Sequence, residues 1–161
     1  MNSFLKVVSA VIRPATLETA PEMKRKRQFA ALPFRTTRGK LEVLLVTSRD
    51  TRRWIIPKGW PKKSTAPHKL ALLEAYEEAG VRGKIERDEI GHYDYIKRLD
   101  DRHNVLCRVG VFPMKVKDEL KTWPEKKERE RRWMSPEEAA QLVEEPQLAA
   151  LLLGIETTNP A

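Results

Sequence analysis

The segment from Trp54 to Val81 constrains this chain more than any other. Trp54-Ile55-Ile56 is a short β-prone run ended by Pro57 and Gly59, and a polar loop with Pro61 and Ser64-Thr65 follows it. Pro67 suits a first helical turn, and the residues from there to Ala79 contain no Gly or Pro. Gly80 can take the left-handed position that ends such a helix. Within it Glu74, Glu77 and Glu78 fall at i, i+3 and i+4, which places their Cβ atoms about 5–6 Å apart. At ~100° per residue they occupy about 0°, 300° and 40°, opposite an apolar face of Leu72, Ala75, Tyr76 and Ala79. Three clustered carboxylates without interleaved lysines repel one another, so the spacing reads either as a solvated acidic face or as a cation site. Hard oxygen donors of this kind select Mg2+ or Mn2+.

The surrounding charge favours the cation site. The chain carries 31 Lys plus Arg against 23 Asp plus Glu, a formal +8. The excess is not evenly spread: residues 1–63 hold 15 basic and 4 acidic side chains, and the remaining 98 hold 16 and 19. Arg52, Arg53, Lys58, Lys62 and Lys63 immediately precede the acidic helix. Metal-binding carboxylates beside ammonium and guanidinium groups suit phosphoryl chemistry, in which a metal bridges phosphate oxygens and side-chain cations neutralise the rest. A second basic run, Lys24-Arg25-Lys26-Arg27, reads either as a nucleic-acid arm or as a solvated lead-in to a strand. The chain lacks a Walker A loop, a Gly-x-Ser-x-Gly elbow and a dinucleotide fingerprint, so kinase, nucleophilic-serine and redox readings lose their support. The lone Cys107 excludes an internal disulfide and a thiolate zinc site and reads as a small buried strand residue. His68 lies near 120° on the same wheel, away from the acids, and reads as structural; roles for His92 and His103 stay open.

The rest of the sequence predicts an α/β (α+β) fold. Residues 28–34 and 41–47 read as strands joined by a turn at Arg38-Gly39-Lys40, and further strands are expected over 90–98, 105–116 and 131–134. Ser135-Pro136-Glu137-Glu138 has the spacing of a capping box and opens a helix through Val143, with a last helix over 148–153 closing on Gly154. Hairpin-like connections argue against a purely parallel sheet. The expected organisation is a partly ordered N-terminal extension over 1–25, one domain over 26–155, and a tail over 156–161. No apolar run reaches the ~20 residues of a membrane span, and 4–12 makes a poor secretory signal, so no membrane partner and a cytoplasmic location are expected.

The run from Gly59 to Val81 resembles a Nudix box: Gly, five residues, Glu, seven residues, Arg-Glu, aliphatic, any, Glu-Glu, any, Gly, aliphatic. Gly59, Glu74, Ala75, Glu77, Glu78, Gly80 and Val81 match without a gap, whereas Thr65 stands for the box Glu and Leu73 for the box Arg. The flanks, Trp54 to Gly59 and Arg132 to Ala139, resemble the family too, and the likeness covers roughly 27–150. It implies an α/β/α sandwich on a mixed β-sheet and metal-dependent hydrolysis of a phosphoanhydride. It also implies that Glu74, Glu77 and Glu78 are catalytic metal ligands, with the Gly59 carbonyl as a further ligand. An acid outside the box often serves as base or extra ligand, and Glu128 and Glu130 are the expected candidates. The basic strand residues and the sequence around Trp133 look most like the diphosphoinositol polyphosphate phosphohydrolase branch. That branch takes diphosphoinositol polyphosphates and diadenosine polyphosphates.

Thr65 and Leu73 depart from the box together. Stranding one member of a buried ion pair is destabilising by about 3–5 kcal/mol, while replacing both can be near neutral, which favours a repacked, competent site. The expected protein is a pyrophosphohydrolase using Mg2+ or Mn2+ on a small, highly anionic substrate, a nucleoside diphosphate derivative included, steadied by Arg52, Arg53, Lys58, Lys62 and Lys63. The alternative is a catalytically impaired Nudix-fold module that binds or senses a polyanion or RNA, with nucleic acid the less favoured partner.

Overall fold

The computed structural model describes residues 25–158, with side chains through 155. The extension expected before Arg25 and the Lys24 end of the basic run lie outside the described residues, as do 159–161 of the tail. Eight strands form one mixed sheet: β1 (Arg25–Thr37), β2 (Lys40–Thr47), β3 (Trp54–Ile55), β4 (Lys58–Gly59), β5 (Val81–Ile85), β6 (Gly91–Arg98), β7 (Asn104–Glu119) and β8 (Arg131–Met134). The order β3-β2-β1-β7-β5 forms its spine, with β4 on β1, β6 on β7 and β8 on β2. Among the described residues, only the β1–β7 pair is parallel.

Alternation along the central strands sends side chains to two cores, one on each face of the sheet. Ala31, Leu44, Val46, Phe112 and Met114 point to one face, where Ala71, Ala75 and Ala79 of the acidic helix cover them. Ala30, Leu32, Val43, Leu45, Val109 and Val111 point to the other. There α2 (Pro136–Leu142), its C-cap Val143 and α3 (Pro146–Thr158) supply Ala139, Val143, Leu148, Leu152 and Ile155. This is the expected α/β/α sandwich. The β1–β2 turn has positive φ at both Arg38 (52°) and Gly39 (77°), the two-residue geometry that matches strand twist. The capping box forms as expected, with Glu138 N–H donating to Ser135 Oγ at 3.1 Å. Cys107 is buried on β7, as expected.

Several boundaries differ from expectation for identifiable reasons. β1 begins at Arg25, because the parallel ladder with β7 runs from Arg25 opposite Leu106 to Phe34 opposite Lys115. The basic residues 25–27 are therefore strand residues and not a separate arm. β5 went unrecognised because Gly83 reads as a breaker; its missing Cβ instead lets the Lys115 carbonyl approach closely at a register shift. The last helix does not close on Gly154 but continues through Thr158, taking in the first residues of the expected tail. Among the described residues, no helix is long and apolar enough to cross a membrane.

Candidate active site

The acidic helix is not one regular α-helix. α1 spans Pro67–Glu74, with Pro67 in its first turn, and a π-helical turn, Ala75–Ala79, completes it. Gly80 closes the turn with φ 64°, its N–H directed at the carbonyls of Ala75 and Tyr76. A π-turn widens the helix, so positions after Glu74 depart from the 100° wheel. The acids consequently do not form a solvated face: Glu74 and Glu78 are buried and Glu77 is half-buried.

An aromatic side chain from the β7–β8 connection and a cationic one from the start of β8 hold this turn. The Trp123 indole N–H donates to the Glu78 carbonyl at 3.1 Å, and the Trp123 ring occupies the space a Cβ at Gly80 would need. Arg131 stacks on that ring at 3.9 Å and donates to the carbonyls of Ala79, at 2.8 Å, and Gly80, at 3.2 Å. Support of the helix end thus comes from Trp123 and Arg131, outside the segment 59–81.

The three acids line a cavity of about 1150 Å³ together with Lys58, Gly59, Lys62, Arg49, Arg53, Glu125, Arg129 and Glu145. Gly59 on β4 packs directly against Glu74, and any Cβ there would collide with its carboxylate. Arg129, its side chain 7% exposed, donates to Glu125 at 2.7 Å and to the Thr47 carbonyl at 3.0 Å, and lies 3.8 Å from Glu78 Oε2. Glu78 Oε1 is buried without a hydrogen-bond partner. Burial pushes the Glu78 carboxyl up to about 8 against the lowering pull of Arg129, and a hydrogen bond with Glu74 raises it further. Burial likewise raises Glu74. Lys58 lies over the Tyr95 ring at 5.2 Å, and desolvation pulls its ammonium down to about 8 despite the opposing charge of Glu78.

Those features meet the requirements of a divalent cation. An orphaned, buried carboxylate oxygen, a second buried carboxyl and a glycine cradle beside them constitute a hard-oxygen donor set. Among the described residues, no three acidic, imidazole or thiol groups are already gathered as a metal cluster.

The structure brings together Glu74, Glu77, Glu78, Gly59, Lys58, Lys62 and Arg53 and leaves the other expected residues outside the cavity lining. Glu128 is exposed and turns to Arg49 at 3.4 Å, and Glu130 is exposed as well. The acid from that segment which does line the cavity is Glu125, because a tight turn with Glu128 N–H on the Glu125 carbonyl swings the later residues away. Arg52, with φ 57°, donates instead to the Glu128 carbonyl at 2.9 Å, and Lys63 is exposed beyond the rim. None of the histidines lines the cavity: His68 packs 6.5 Å from the Phe112 ring, His103 pairs with Asp100 at 2.8 Å, and His92 is exposed on β6. Sequence reasoning missed Glu125, Arg129 and Glu145. The i, i+4 spacing of Glu125 and Arg129 was the available signal for the first two.

The family model of the NUDIX domain matches residues 24–152. The chain belongs to the Nudix family. Among Nudix relatives, it is 37% identical over 106 residues to Nudix hydrolase 12, mitochondrial, of Arabidopsis thaliana, covering 64% of this chain and 52% of the relative. It is 33% identical over 121 residues to diphosphoinositol polyphosphate phosphohydrolase 3-alpha of Mus musculus, covering 74% and 70% respectively. The chain spans about half the length of several of the curated plant Nudix relatives it matches. A crystal structure of the C. elegans Ap4A hydrolase superposes with a TM-score of 0.62 at 17% identity, covering 84% of this chain and 98% of that one. The E. coli dihydroneopterin triphosphate pyrophosphohydrolase gives 0.64 at 13% identity, covering 84% and 98%. At these identities the solved structures show a shared Nudix fold.

Proposed function

We propose that this Nudix protein is a metal-dependent pyrophosphohydrolase acting on a phosphoanhydride in a highly anionic, phosphorylated small molecule. The observation that carries the reading is the buried, unpartnered Glu78 Oε1 beside Glu74, in a cavity whose walls also present Lys58, Lys62, Arg49 and Arg53. Glu74, Glu77, Glu78 and the Gly59 carbonyl would hold Mg2+ or Mn2+. Such an ion, when bound, neutralises phosphate charge and acidifies water. Lys58 and Lys62, with Arg49 and Arg53, orient the phosphate chain and offset its charge. Arg129 holds Glu78 and Glu125 in place, and Glu125, which lines the cavity, would take a proton from attacking water. A diadenosine polyphosphate, a diphosphoinositol polyphosphate or another nucleoside diphosphate derivative meets these charge requirements. The likeness to the Mus musculus phosphohydrolase supports that range. A reducing compartment, the cytoplasm included, suits the lone thiol.

Phosphate release should be measured over diadenosine polyphosphates, diphosphoinositol polyphosphates, nucleotide sugars and capped RNA, with Mg2+ and with Mn2+. Turnover of one class that disappears in EDTA is the expected result. Silence across the panel with tight, metal-independent binding of a polyanion would instead establish a binding module.

A further inference from the structure

Glu145, the residue immediately before α3, is a buried acid that the chemistry above leaves unused. It is 8% exposed and lines the same cavity as Glu78 and Lys58. Its Oε2 accepts from Arg53 Nη1 at 3.1 Å, while its Oε1 has no hydrogen-bond partner. A buried acceptor left unpaired is destabilising, more so in a charged group. A carboxylate oxygen in an ion pair only accepts, so its missing partner must bring an N–H or O–H. Ionised phosphate cannot do this, since its oxygens are acceptors and its charge is of the same sign.

The cavity lining therefore presents two kinds of polar group. Lys58, Lys62 and the box acids suit phosphate and its counterions. Glu145 suits a neutral group that carries donors. The exposed large hydrophobic residues provide a second, independent indication: Trp60, Ile96 and Leu99, 40%, 59% and 51% exposed, all line this cavity. Exposed apolar side chains among a few convergent polar groups offer surface to a flat, uncharged group, which one covered in phosphates does not use.

We infer that Glu145 is a specificity-determining residue, whose free Oε1 accepts a hydrogen bond from a hydroxyl or ring N–H on the uncharged end of the substrate. The site accordingly prefers molecules with a neutral, donor-bearing group, such as a nucleoside, over rings phosphorylated at every position. This deepens the reading of the cavity as a polyphosphate site and rests on it. Arg53, paired with Glu145 at 3.1 Å, has part of its charge offset by that carboxylate.

Binding without turnover tests the inference apart from the hydrolase reading. Wild type, E145Q and E145A are titrated with ADP and with inositol hexakisphosphate, and thermal melts establish that each variant is folded. E145Q preserves side-chain volume and one acceptor oxygen. E145A should weaken ADP by about tenfold, the effect of losing one charge-assisted hydrogen bond. E145Q should retain ADP binding better than E145A does. Both variants should bind the hexakisphosphate at least as tightly as wild type, because a carboxylate is gone and Arg53 is released. The same shift should appear in kcat/KM for diadenosine tetraphosphate against a diphosphoinositol polyphosphate. An unchanged ratio of the two ligands in both folded variants would overturn the inference, as would equal gains for both or no ADP binding by wild type. A shifted binding ratio without hydrolysis of any substrate would sustain it while refuting the hydrolase reading.

Discussion

Arg129 is the most informative residue to remove, because it ties the stability of the domain to the state of the acidic site. Its guanidinium is buried, bound to Glu125 at 2.7 Å and to the Thr47 carbonyl, and 3.8 Å from Glu78. Arg129→Met keeps most of the apolar stem and removes the charge. Breaking a buried ion pair from one side is destabilising by about 3–5 kcal/mol, since the remaining charge has no compensation. At roughly 3 °C per kcal/mol for a domain of this size, the melting temperature should fall by about 10–15 °C in EDTA. The full effect is expected above pH 8, where Glu78 is ionised. Near pH 6 a proton on Glu78 supplies part of the missing compensation and the fall should be smaller. Added Mg2+ should restore the variant more than it raises wild type, because the uncompensated carboxylates attract the cation more strongly. Calorimetric melts at pH 6 and pH 8.5, with EDTA and then with millimolar Mg2+, measure all three effects. A fall below about 3 °C at the higher pH, or equal Mg2+ gains in the two proteins, would refute the assignment of Arg129 as the counter-charge of the acidic site.

Two further outcomes follow from the same geometry. Glu78 holds its proton up to about pH 8 when folded, against an ordinary value of 4.5. The folded state therefore binds more protons than the unfolded chain across that window, and Glu78 lowers stability in EDTA as pH rises from about 4.5 to about 8. Mg2+ affinity, measured by titration calorimetry, should rise over the same window because the proton must leave; affinity independent of pH would contradict this. Gly59→Ala forces the Glu74 carboxylate to move. A displacement of ~1 Å is expected to lower kcat by about a hundredfold with an unchanged circular dichroism spectrum, and wild-type kcat would show that Glu74 does not need its present position.

Local chemistry made much of this structure legible before any coordinates. Pro67 and Gly80 bounded the acidic helix, and Ser135 with Glu138 marked the start of α2. The apolar runs at 28–34 and 41–47 located the two central strands. The sequence placed Glu74, Glu77 and Glu78 together, but a 100° wheel could not reveal the π-turn that buries Glu78, because that turn is held by Trp123 of the β7–β8 connection and Arg131 of β8. β5 was hidden for a related reason, since its Gly83 serves a close backbone approach that only the neighbouring β7 makes visible. Glu128 and Glu130 were preferred over Glu125 on proximity to Trp133, whereas the turn at 124–128 reverses which of them reaches the cavity. Glu145 offered no local signal at all, as its burial arises from the packing of α3 against β6 and the approach of Arg53.

The claim that an acidic metal face performs the chemistry is tested most directly by Glu77→Gln. Glu77 is half-buried, lines the cavity and has no ion-pair role in the fold among the described residues, so the change should leave the melting temperature within a few degrees. Phosphate release from the substrate that the panel identifies, measured with saturating Mg2+, should fall by at least about a thousandfold in a folded variant. Wild-type turnover by folded Glu77→Gln would contradict the metal-face mechanism.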